Sequence, residues 1–158
     1  MKQISFTVFV LLLACFALSC GYSAPRNQPT TTKLQSRAFV SQDVSSPFAT
    51  AGLIIVDASK DVRALVPMIS AGNNPGLMAL SPSKRLTLAF SGSDNSITAI
   101  NNSTESSIGS ATLRGPTESM AVSVDGSTAY AAVSSAPVVG QSPGALEVIN
   151  LKDRKSVV

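Results

Sequence analysis

Apolar and polar positions alternate in short runs along most of this chain. Met120-Ala121-Val122-Ser123-Val124 and Ala129-Tyr130-Ala131-Ala132-Val133 show the two-residue period of strands with one face on a core. The runs are rich in β-branched or small apolar residues. Asp-Gly, Asn-Pro, Pro-Gly and Ser-Gly pairs separate them, as tight reversals require. Asp125-Gly126 is the strongest of these signals, because both residue types tolerate positive φ.

The runs also repeat. "LIIVDASKDVRALVPM" at 53–68 aligns with "ITAINNSTESSIGSATL" at 97–113 and with "LEVINLKDRKSVV" at 146–158. Each apolar run ends in Asp or Asn, at Val56-Asp57, Ile100-Asn101 and Ile149-Asn150, before a polar turn. "NNPGLMALSPSKRLTLAFSGSDNS" (73–96) aligns with "GPTESMAVSVDGSTAYAAVSS" (115–135), setting Pro75 against Pro116 and Ser81 against Ser123. The spacing is 42 residues from Ser81 to Ser123 and 44 from Val56 to Ile100. It is 49 from Ile100 to Ile149, where "APVVGQSPG" is inserted. A period of about 40–45 residues carrying about four strands is that of a propeller blade. The fold expected is therefore all-β, built of blades of about four antiparallel strands. Ala79, Ala89, Ala121 and Ala131 are the small residues available where strands crowd the central axis.

"IIVDASKDVRALVPMISAGNNPGLMALSPSKRLTLAFSGSDNSITAI" resembles the bacterial surface propeller repeats called YVTN repeats. Those repeats run through a strand ending in Ile-Asp, a short turn, an apolar strand, a Gly-x-x-Pro loop, a Ser-Pro-Asp-Gly turn and a Tyr-Val strand. Val56-Asp57, Gly72 to Pro75, "SPSK" and "LTLAF" take those places. Ile100-Asn101, Gly115-Pro116, "SVDG" and "TAYAAV" take them again. The resemblance covers about residues 37–158. It departs at Ser83-Lys84, which replaces Asp-Gly, and in the long 134–145 loop.

Propellers close with four to eight blades, and this chain holds about two and a half. Arg37 to Ser46 reads as the end of an incomplete first blade, two blades follow, and "LEVINLKDRKSVV" opens another. Three explanations fit: a truncated product of a longer propeller gene, several copies closing one ring, or a β-sandwich in place of a propeller. Incomplete stacking exposes apolar blade faces, which favours self-association.

The N-terminus carries a different pattern. Lys2 precedes an apolar run from Ile4 to Leu18, short for a spanning helix and suited to a secretory leader. Ala17-Leu18-Ser19 presents small residues to a general signal peptidase. However, "ALSC" resembles a bacterial lipobox, which implies cleavage before Cys20 and its acylation; "LLAC" ending at Cys15 would leave too short a run. Cys15 lies within the leader, so Cys20 would be the lone cysteine of the exported chain, which excludes an internal disulfide. Residues 1–19 are read as a lipoprotein signal peptide, 20–36 as a lipid-anchored polar tether, and 37–158 as a partial propeller domain. The resemblance implies a bacterial membrane, the outer one where two exist, because Gly21 rather than Asp follows the cysteine.

Composition narrows the chemistry. With 44% hydrophobic and 13% charged residues the chain is too apolar for disorder. The net charge of +3 is scattered rather than gathered on one face, against a nucleic-acid partner. There is no histidine, which removes the commonest general base and metal ligand. No phosphate-binding, dinucleotide, zinc or nucleophile-elbow motif occurs, and no cofactor or metal is expected. Asp57, Asp61, Asp94, Glu105, Glu118 and Asp125 lie in or beside turns, where acids recur for backbone reasons. Arg63, Lys84 and Arg85 read as charges protecting strand edges. The insert with Pro137, Gln141 and Pro143 is the candidate binding loop.

These observations favour a non-enzymatic binding or scaffold module of the cell envelope, meeting a protein or glycan through its loops. The alternatives are a fragment of a propeller enzyme such as a lactonase, or a remnant without function.

Overall fold

The structure is a computed structural model, in which residues 31–42, 50–134, 144–153 and 155–157 are described. The leader, Cys20 and the insert with Pro137, Gln141 and Pro143 lie outside the described residues.

Eleven strands form three antiparallel sheets, and no helix occurs among the described residues. The first sheet holds β1 (Arg37–Gln42), β2 (Gly52–Asp57) and β3 (Val62–Arg63). The second holds β4 (Pro75–Leu80), β5 (Leu86–Ser91), β6 (Ser96–Asn101) and β7 (Ser106–Thr112). The third holds β8 (Thr117–Val122), β9 (Thr128–Val133), β10 (Ala145–Asn150) and β11 (Lys155–Val157). Each sheet is a meander in which consecutive strands pair. β4 lies beside β8 and β7 beside β11, so the second and third sheets stack with corresponding strands together. Three successive stacked meanders are blades of the propeller type, not the two facing sheets of a sandwich.

The blade count agrees with the sequence, but the phase does not. β1 pairs with β2 from Arg37↔Asp57 to Gln42↔Gly52, so Arg37 and "LIIVD" belong to one sheet. "LEVINLKDRKSVV" does not open a further blade; β10 pairs with β9 and then with β11, completing the third sheet. A repeat fixes its period but not where each unit begins. The sheet boundaries fall at 64–74 and 113–116, across which consecutive strands do not pair. The alignment of Pro75 with Pro116 is also one residue out: Pro75 pairs with Ser91, and Thr117 with Val133, each just before a register shift. These bulges obscure the correspondence in the sequence.

Burial follows from the stacking. In β9 and β10 the buried positions alternate strictly, whereas β5 is buried from Thr87 to Ser91 and β6 from Ile97 to Ile100. The second sheet is covered on both faces. Toward the third sheet, Leu88, Phe90, Ile97 and Ala99 meet Ala129, Ala131, Val133 and Ile149. Toward the first, Ala89 and Ile100 meet Leu53, Ile55, Ile69 and Ala71. Each fully buried Leu or Ile contributes about 1.5–3 kcal/mol relative to exposure. Ala89 and Ala131 are buried in these interfaces between sheets, whereas Ala79 is half-buried and Ala121 exposed.

The turns repeat as the strands do. Asp57, Asn101 and Asn150 each end the next-to-last strand of their sheet. Each accepts the backbone N–H two residues on, at 3.0, 2.9 and 2.9 Å from Ser59, Ser103 and Lys152. The Asp or Asn that closes each apolar run is thus an Asx turn. The hydrogen bond from the Ser59 hydroxyl, helped by the Ser59 N–H, holds the Asp57 carboxyl below the usual range. In the second kind of turn, Asp125 accepts from the Ser123 hydroxyl at 2.5 Å and the Ser127 hydroxyl at 2.7 Å, which lower its pKa to about 2.

Candidate functional site

An open cleft of about 410 Å³ lies between the first two sheets, at the end where β1 begins and β4 ends. Gln35, Arg37 and Phe39 come from the start of the first sheet. Met78 and Leu80 come from β4, Lys84 from the β4–β5 turn, Thr87 from β5, and Asn102 from the residue after β6. Phe39, Met78 and Leu80 are its apolar lining, interleaved with polar groups from both sheets.

Polar groups of the lining are held by bonds across the sheets. Arg37 donates from Nη1 to Glu105 Oε1 at 2.6 Å and from Nη2 to the Asn102 carbonyl. Glu105, whose side chain is 1% exposed, also accepts the backbone N–H and hydroxyl of Thr32, each at 2.5 Å. Asn102 accepts from the Thr87 hydroxyl at 2.8 Å and donates to the Lys84 carbonyl at 3.0 Å. The Arg37 guanidinium sits 6.0 Å from the Phe39 ring centroid, within cation–π range. Arg37, Thr87 and Asn102 are thereby committed to partners, and Gln35 and Lys84 are exposed at the rim. Such a cleft offers hydrogen-bonding edges beside an apolar surface, which suits recognition of an amphipathic ligand.

The other acids divide in the same structural way. Glu147 is fully buried in β10 and accepts the Arg114 backbone N–H at 2.7 Å. Among the described residues no three Cys, Asp or Glu gather as a metal site. Arg63 lies on β3 at the edge of the first sheet, and Lys84 and Arg85 lie in the β4–β5 turn, so they belong to different sheets. Pro75 is the buried first residue of β4, whereas Pro116 is exposed before β8. A second cleft of about 390 Å³, lined by Glu118, Ser119, Ala132, Val133 and Ala145, includes Ser134 and Gly144, which flank the insert.

Sequence reasoning placed Glu105 in a turn and gave it no bond. Nothing local marks it, because Arg37 and Thr32 approach from 68 and 73 residues away. Glu147 carried a readable signal: it lies in phase with Ile149 and out of phase with Leu146 and Val148.

No family model and no curated protein matches the sequence. Solved structures do match. Hydrazine synthase of Kuenenia stuttgartiensis shares 20% identity at a TM-score of 0.53, over 66% of this chain and 28% of that one. The dihydro-heme d1 dehydrogenase NirN, solved in complex with DHE, shares 17% identity at a TM-score of 0.51, over 87% of this chain and 32% of that one. The β-propeller domain of the Trilobed protease from Pyrococcus furiosus aligns over 77% of this chain and 37% of that one, at 8% identity and a TM-score of 0.46. This chain has an all-β, propeller-like fold. It spans about a third of the length of the solved chains it matches, and at these identities the likeness is one of fold alone.

Proposed function

We propose that this propeller-type chain is a binding or scaffold module of the bacterial cell envelope, anchored by lipid on Cys20 and recognising a protein or glycan. The observation that carries the binding role is the cleft between the first two sheets. Polar groups of its lining are fixed by the Arg37–Glu105 pair and the Asn102 bonds, beside apolar Phe39, Met78 and Leu80. Pre-organised edges of this kind favour binding, because little side-chain entropy remains to be lost. The two buried glutamates support the same reading, since each holds backbone or side-chain donors in place. The leader, the lipobox-like "ALSC" and the polar stretch after it support the anchor.

Two measurements test this. Mass spectrometry of the N-terminal peptide from membrane-isolated protein is expected to give an acylated Cys20 as first residue. A free thiol or a different mature N-terminus would remove the anchor. A glycan and muropeptide array is expected to give a ligand whose binding Leu80→Glu abolishes and the remote Val124→Glu leaves intact. Binding indifferent to Leu80 would place recognition elsewhere.

A further inference from the structure

The three sheets obey one packing rule, and the outward faces of the first and third sheets, among the described residues, follow it. The pairing registers set Leu88, Phe90, Ile97 and Ala99 of the second sheet in correspondence with Tyr130, Ala132, Leu146 and Val148 of the third. In the second sheet these residues pack on the third, and Leu88 and Ile97 are 0% and 2% exposed. In the third sheet their counterparts Tyr130 and Leu146 are 37% and 59% exposed. The opposite end mirrors this. Ala38, Val40, Ile54 and Val56 of the first sheet correspond to Thr87, Ala89, Thr98 and Ile100, the face with which the second sheet receives the first.

We infer that a second copy of this chain docks its third sheet, through Tyr130, Leu146 and Val148, on the first sheet of its partner at Ala38, Val40 and Ile54. The contact continues an interface that the chain already makes twice within itself. It is heterologous, because the two faces differ. The receiving face suits it: where the third sheet carries the buried Glu147, the first carries Ile54, so no charge is buried. Two copies bring twice the three sheets described for one, and six lies within the four to eight blades with which propellers close.

The test is sedimentation of the full chain in density-matched detergent at micromolar concentration. The wild type is expected at twice the monomer mass. Leu146→Glu and Val40→Lys are each expected as monomers, and an equimolar mixture of the two regains the dimer through its one intact pair of faces. Tyr130→Lys and Ala38→Glu form a second pair should either first variant lose its β-sheet circular dichroism. A wild-type monomer overturns the inference. So does a Val40→Lys chain that still dimerises, which would indicate like faces back to back, and so does a mixture that stays monomeric. A native protein whose single polypeptide carries further blades on these faces also overturns it.

Discussion

Lys84 holds, at φ 58°, the left-handed backbone conformation that Gly126 holds at 73° in the corresponding turn of the next sheet. The Ser81 and Ser123 turns are otherwise alike: each serine N–H is bonded to the carbonyl of the residue opening the next strand, at 2.9 and 2.8 Å. A side chain in this region costs about 1–2 kcal/mol, and glycine gives back about 0.5–1 kcal/mol through the freedom it loses on folding. Lys84→Gly is therefore expected to stabilise the chain by about 0.5 kcal/mol, and Gly126→Lys to destabilise it by a similar amount. Urea midpoints at unchanged slope check both.

Glu105→Ala removes the acceptor that three donors share, those of Arg37 and the two of Thr32. Breaking a buried ion pair from one side costs about 3 kcal/mol or more. A double-mutant cycle with Arg37→Met is expected to show a coupling above about 1 kcal/mol. A coupling near zero would mean that Glu105 serves Thr32 alone.

Asp125 gives a pH signature. Its pKa of about 2 in the fold lies below the ordinary carboxylate value, so the folded state favours the ionised form. The resulting stability is present above the unfolded pKa, near 4, and is lost as pH falls toward 2. Asp125→Asn is expected to flatten the stability profile between pH 4 and 2 and to leave the slope above pH 5 unchanged. Urea titrations at stepped pH read this directly.

Gly72 also holds a left-handed backbone conformation, at φ 85°. A Cβ there would lie within 2.4 Å of the Ser91 Cβ and 2.5 Å of its hydroxyl. Gly72→Ala is expected to cost about 3 kcal/mol, from the conformation and the collision together. Ser91→Gly in the same chain is expected to recover the collision part, although it loses the 3.2 Å bond from the Asn74 N–H. Failure to recover any stability would put the whole cost on the backbone.

The blades were legible because a two-residue period and a repeat of about 42 residues survive in β8 and β9. The Asp or Asn ending β2, β6 and β10 marks the same turn three times. The phase was not legible. Nothing in "LEVIN" states whether its partner precedes or follows it, and that choice is made by β9 at Ala145↔Val133. The cleft was hidden for a related reason. Arg37 and Asn102 stand 65 residues apart, and Lys84 reads as an edge charge until the first sheet is laid against the second.

Among the described residues of a single copy only the second sheet has a neighbour on each side, and that asymmetry orders its opening. The outer sheets can each peel from one interface, uncovering Leu53 and Ile55 or Ala131 and Ile149, while the other interface stays shut. The amides of β5 and β6 exchange with solvent only after both flanks have come away. The described sheets of a single copy thus behave as a short one-dimensional stack whose local stability is highest about Leu88 and Ile100.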